Sequence, residues 1–234
     1  MIESPNCGPR RHGLSPDMVV LHYTAMESAQ AAIERLCDPV AEVSAHYVIS
    51  EAGILTQLVD EADRAWHAGA GQWGWVTDVN SHSIGIELDN RGPDAPFPEV
   101  QMQCLESLLA AILHRHAIAP ERVIGHSDMA PGRKVDPGPC FDWKRLADKG
   151  LSVWATPAQM VADWATFKAS AFYFGYRAAE NTDESWQIVL DAFRLRFRPG
   201  VTGPLDGVDT GIMARLGFRY PCQAVDLGLY HTID

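Results

Sequence analysis

The chain has 234 residues, a formal net charge of -11 and an apolar fraction of 47%. The acidity argues against a nucleic-acid or anionic-membrane partner, since both demand a basic footprint, and the apolar content excludes a disordered chain. No stretch reaches the ~20 apolar residues of a membrane span; Met1–Asn6 lacks the basic-then-apolar order of a secretory signal, so the sequence as given reads as cytoplasmic, or as periplasmic if a leader has been removed.

Met18–His22 is a short apolar run and reads as a strand. The alanine-rich Glu27–Cys37 reads as a helix. His46–Ser50 and Ile54–Val59 read as strands. Ser83–Leu88 alternates, which predicts Ile84, Ile86 and Leu88 on one face and Gly85 and Glu87 on the other. Pro98–His116 carries Leu105, Leu108, Leu109, Ile112 and Leu113 at helical spacing, with Pro98 suited to the first turn. Arg122–Gly125 reads as a last short strand. Strands mixed with helices predict an α/β domain over residues 1–150.

The pattern changes after Leu146, and Lys149–Ser152 reads as a link. Thr156-Pro157 is a helix-start pair, and that helix is expected to run toward Gly175. Trp186, Val189, Leu190, Phe193 and Phe197 form an amphipathic stripe that stops before Pro199-Gly200. Asp209 reads as the cap of a last helix through Leu216, closed by Gly217. These features predict a small three-helix domain over residues 157–220.

The richest stretch runs from His126 to Pro139: a histidine, a lysine and an aspartate in a loop stiffened by prolines and glycines. His22 closes an apolar strand far upstream. Two strand-end histidines can converge at one sheet edge, where α/β proteins tend to build their sites. Asp136 follows His126 closely enough for a returning loop to bring it back. Two histidines and a carboxylate suffice for a catalytic zinc that keeps one position open for water. The residues alone leave that reading and a structural one both open. Glu87 is either an ion-pair partner or a general base. Lys134 is either a solvated loop residue or a cation beside an oxyanion. Trp66-His67-Ala68-Gly69 suits a ligand wall or a packed loop tip. His46-Tyr47 is a weaker signal, and His12, His82, His114, His116 and His231 read as surface. The five scattered cysteines contain no CxxC pair and read as reduced thiols.

Together the blocks Val20-Leu21-His22-Tyr23-Thr24, Ser44-Ala45-His46-Tyr47-Val48-Ile49, Arg64-Ala65-Trp66-His67-Ala68-Gly69, Ser83-Ile84-Gly85-Ile86-Glu87 and Gly125-His126-Ser127-Asp128 through Asp136-Pro137-Gly138-Pro139 resemble the zinc N-acetylmuramoyl-L-alanine amidases of the AmpD/AmiD type, relatives of phage T7 lysozyme and the peptidoglycan recognition proteins. The resemblance implies a mixed central β-sheet flanked by helices. It implies one zinc ion (Zn2+) on His22, His126 and Asp136, Glu87 as the proton-handling group and Lys134 as transition-state support. Tyr47 falls where phage relatives carry an active-site tyrosine. Trp66, His67 and Asn80 match groove positions, and Arg64 matches an arginine that meets stem-peptide carboxylate. The implied substrate is peptidoglycan or a muropeptide, cut between N-acetylmuramic acid and L-alanine, with no obligate protein partner. Wall binding without cleavage, and a zinc peptidase acting within the stem peptide, are the alternatives. Residues 157–220 resemble the peptidoglycan-binding helical domain appended to such enzymes.

Overall fold

The computed structural model describes residues 3–222; Met1, Ile2 and 223–234, His231 among them, lie outside the described residues. The first half of the chain forms β1 (Cys7–Pro9), β2 (Met18–Tyr23), α1 (Ala29–Cys37), β3 (Tyr47–Ile49), β4 (Leu55–Gln57), β5 (Asp63–Ala65), α2 (Val79–His82) and β6 (Ser83–Leu88). The second half forms α3 (Glu99–His116), β7 (Val123–Gly125), α4 (His126–Met129), α5 (Trp143–Asp148), α6 (Trp164–Phe174), α7 (Asp183–Phe197) and α8 (Gly207–Arg219). A five-stranded sheet runs in the order β4-β3-β6-β2-β7, and β1 with β5 makes a separate two-stranded ribbon. Within the large sheet β3, β6, β2 and β7 are parallel, and β4 is an antiparallel edge. The expected mixed sheet flanked by helices is therefore present.

β2 lies between two parallel neighbours and is covered on both faces, which is why Met18-Val19-Val20-Leu21 is apolar without interruption. Val19, Leu21, Ile84, Ile86 and Leu88 share a core with Leu105, Leu109 and Ile112 of α3. On the opposite face Met18, Val20 and Ile124 share a core with Phe167 and Phe174 of α6, Val189 and Phe193 of α7, and Ile212 and Leu216 of α8. The helices of 157–220 thus bury onto the sheet itself. Leu151 and Ser152, read from the sequence as part of a link, are buried too.

Element ends differ from the sequence reading where a stronger cap or a tertiary contact takes over. Ser28 caps α1 by accepting the Ala31 N–H at 3.2 Å, so that helix begins at Ala29. Pro98 sits just outside α3 rather than within its first turn. Thr156-Pro157 starts no helix. Asp163 accepts two amides, from Ala165 and Thr166, and α6 begins at Trp164. The chain before it lies against α8, where a Cβ on Gly207 or Gly211 would stand 1.9 Å from the Met160 or Ala158 carbonyl oxygen. α8 is capped by Asp206, with Asp209 returning a bond to the Asp206 amide. It runs on through Gly217, because that glycine makes room for Ser170 of α6 instead of ending the helix. All five cysteines are free, and among the described residues no helix is long and apolar enough to cross a membrane.

Candidate metal centre

The carboxyl ends of three parallel strands build the site. His22 stands directly beside Glu87 in the β2–β6 register. Leu21 of β2 pairs with Gly125 of β7, so His22 and His126 come next in line on the same face. The segment after α4 folds back on itself: the Ala130 carbonyl accepts the amides of Arg133 and Lys134, and the Asp136 carbonyl accepts the Ser127 amide at 2.9 Å. That return delivers the Asp136 side chain to the two imidazoles.

Nδ1 of His22 lies 2.9 Å from Nδ1 of His126, and each lies 3.0 Å from Oδ2 of Asp136. All three residues are buried. Their hydrogen-bond partners define what the facing atoms are. Nε2 of His126 lies 2.8 Å from the Ala68 carbonyl, and a ring that donates there leaves its Nδ1 free to bind a metal. On the His22 side, Ser83 Oγ donates its one proton to the Val79 carbonyl at 2.6 Å and must accept from Nε2 of His67, 3.1 Å away. His67 Nδ1 is then an acceptor, taking the Nε2–H of His22 at 3.0 Å. His22 Nδ1 is therefore free as well. Burial is the main cause that keeps the His22 imidazole neutral, with its pKa pulled down to about 4. Two ring nitrogens and a carboxylate oxygen converge within about 3 Å of one another, an arrangement that a shared cation would bind together. His22, His126 and Asp136 can hold a metal ion, one ligand atom each. Two imidazoles and a carboxylate, with further positions open toward a cavity, suit a catalytic divalent ion.

A cavity of about 450 Å³ opens over this cluster and is lined also by Glu87, Lys134, Trp66 and His67. Oε2 of Glu87 is buried and has no hydrogen-bond partner among the described residues. Burial first, and the Asp136 carboxylate second, push the Glu87 pKa up to about 8 against the pull of Lys134.

Three residues expected at the site stand elsewhere. Tyr47 pairs with Ile86 and so faces α3, the side of the sheet away from His22 and Glu87. Its hydroxyl donates to Glu61 at 2.7 Å, and Glu61 also takes Arg115 and His116. Arg64 is paired with Asp78 at 3.0 Å and does not line the cavity. Asn80 is buried, and its Oδ1 accepts the amides of His67 at 3.1 Å and Ala68 at 2.9 Å. It shapes the loop that carries His67.

The sequence reading also missed residues. Arg133 lines the cavity and donates to the Ala68 and Ala70 carbonyls. Asp128, two residues after His126, is fully buried and takes the Gly125 amide, Tyr176 and Arg196. The alternation of Ser83, Gly85 and Glu87 was a usable signal that this face of β6 serves one polar purpose.

Residues 12–139 match the family described as N-acetylmuramoyl-L-alanine amidase. The chain belongs to that amidase family. The amidase is 36% identical over 232 residues to N-acetylmuramoyl-L-alanine amidase AmiD of Escherichia coli, an alignment covering 87% of this chain and 83% of AmiD. Among solved structures it resembles AmpDh3 from Pseudomonas aeruginosa, with a TM-score of 0.80, 32% identity, and coverage of 91% of this chain and 95% of the other. It also resembles AmiD solved with the substrate anhydro-N-acetylmuramic acid-L-Ala-D-gamma-Glu-L-Lys, with a TM-score of 0.78, 32% identity, and coverage of 88% of the amidase and 91% of AmiD.

Proposed function

We propose that the protein hydrolyses the amide bond between N-acetylmuramic acid, or its 1,6-anhydro form, and L-alanine of the stem peptide, using one zinc ion held by His22, His126 and Asp136. The observation that carries this reading is the triangle of ligand atoms set beneath a cavity that also presents Glu87 and Lys134. Zinc bound there would lower the pKa of a water to about 7 and polarise the substrate carbonyl. Glu87 takes the proton of the attacking water. Once protonated, the Glu87 carboxyl can return that proton, and it hands it to the departing L-alanine nitrogen. Lys134 stands as a fixed cation near the developing oxyanion. Trp66 walls the cavity against bulk water.

Mass spectrometry of muropeptides incubated with the zinc-loaded protein tests the proposal. Free stem peptide with intact glycan is the expected product. Cleaved peptide cross-links would indicate a peptidase, and unchanged muropeptides a binding protein; either sinks the reading. Asp136→Ala is expected to strip the purified protein of most of its zinc in elemental analysis, because one of three ligands is gone. Parent-level zinc in that variant would rule Asp136 out as a ligand.

For residues 157–220 we propose contact with polymeric wall, in line with the resemblance. Phe172 and Tyr173 on α6 are 40% and 49% exposed, and the Phe172 ring meets Trp75, itself 59% exposed. Arg177 covers one face of the Phe172 ring at 3.8 Å, and the exposed remainder of the cluster is an apolar patch suited to contact with sugars. Phe172→Ala with Tyr173→Ala is expected to reduce co-sedimentation with insoluble peptidoglycan and to leave hydrolysis of a soluble muropeptide unchanged. Undiminished co-sedimentation would remove this role.

A further inference from the structure

We propose that His67 is a positioning residue for the metal centre, fixing the tautomer and the ring orientation of His22. The inference rests on the reading of His22 as a metal ligand. It gives His67 a task different from the substrate contact that the resemblance implies.

Ser83, Gly85 and Glu87 alternate along β6 and share the face that His22 occupies on β2. Each does something different for the same centre. Glu87 looks into the cavity. Gly85 leaves a gap, and the His67 imidazole fills it: a Cβ built on Gly85 would stand 2.4 Å from Cγ, 2.5 Å from Cδ2 and 2.7 Å from Nδ1 of His67. No side chain larger than hydrogen leaves that ring where it is. Ser83 then decides which ring nitrogen carries the proton, since its hydroxyl is committed to the Val79 carbonyl and can only accept from His67 Nε2. The His67 backbone is held independently, by Asn80 Oδ1 on its amide.

The result is a directed chain. His22 Nε2–H donates to His67 Nδ1, His67 Nε2–H donates to Ser83 Oγ, and Ser83 donates to the Val79 carbonyl. Every link points the same way, and the outcome at its far end is a lone pair on His22 Nδ1 aimed at His126 and Asp136. Metal-bound histidines commonly give their second N–H to a carboxylate or a carbonyl, and losing such a partner costs about 10–100-fold in metal affinity. Here the acceptor is a neutral imidazole. It orients the ligand without adding a negative charge beside Glu87 and Asp136, where another anion would be unwelcome.

Three variants, each titrated with zinc against a chromophoric chelator, test the proposal. Steady-state kinetics on a soluble muropeptide at saturating zinc run alongside. His67→Phe keeps the ring volume and loses the acceptor, and is expected to weaken zinc binding by about 10–100-fold. His67→Asn restores an acceptor near the position of Nδ1 and is expected to recover most of that loss. Ser83→Ala removes only the group that sets the His67 tautomer and is expected to weaken zinc several-fold, with KM unchanged. Parent-level zinc affinity in His67→Phe or Ser83→Ala, with the change appearing in KM alone, would overturn the proposal and return His67 to the substrate. Failure of the underlying reading looks different: the parent protein itself would then bind no zinc or release no stem peptide.

Discussion

Glu87→Gln is expected to lower kcat by about 10²–10⁴-fold, the usual contribution of a positioned proton-transfer group, with zinc content at the parent level. The substitution keeps the shape of the side chain and its place beside His22 in the β2–β6 register. What changes is that an amide cannot take up a proton from water. Glu87 makes no hydrogen bond to either imidazole and is not part of the donor triangle, so metal occupancy has no reason to fall. Stability is expected to hold or rise slightly, because Oε2 is buried without a partner and a neutral group pays less for that burial. Turnover of a soluble muropeptide, together with elemental analysis and a thermal melt, checks all three expectations. A variant that turns over like the parent would remove Glu87 as the base.

Arg196→Met is expected to be strongly destabilising. The guanidinium is buried, donates to Asp128 Oδ2 at 2.7 Å, reaches Ser152 Oγ at 3.0 Å and the Val123 carbonyl at 3.3 Å, and stacks over Trp143. Its removal leaves the Asp128 carboxylate in the interior with only neutral donors, Tyr176 and the Gly125 amide. Breaking a buried pair from one side costs about 3–5 kcal/mol. For a chain of this size that corresponds to a fall in Tm of roughly 6–20 °C. Scanning calorimetry measures it. Adding Asp128→Asn to Arg196→Met removes the stranded charge and is expected to recover part of the loss. A melting temperature within a degree or two of the parent would mean that this ion pair contributes little.

Much of the centre was legible before any coordinates because its signals are local. His22 ends an apolar run, His126 follows another, and Asp136 sits in a loop short enough to return. The alternation in Ser83–Leu88 assigned Glu87 to its face correctly, and β2 to β6 pairing turned that into contact with His22. Tyr47 shows where local signals stop. A strand presents successive residues to opposite sides, and only the pairing of Tyr47 with Ile86 reveals which side Tyr47 takes. Arg64 and Asn80 were placed in the groove by the family resemblance alone. Their polar groups are consumed by Asp78 and by loop amides, which no spacing rule reveals. The C-terminal start at Thr156-Pro157 failed for a related reason: the segment gains more from lying on the glycines of α8 than from coiling. Asp128 and Arg196 are 68 residues apart, so their pairing had no local trace.

The converging lone pairs of His22, His126 and Asp136 also bear on how long the protein survives. A cation held there would tie β2, β7 and the loop that carries Asp136 together in the folded chain alone. Any ligand that favours the folded form adds stability in proportion to the logarithm of its free concentration over its Kd, about 4 kcal/mol at a thousandfold excess. Metal starvation would therefore thin the population of the enzyme through unfolding and proteolysis, before its remaining molecules were asked to do any chemistry.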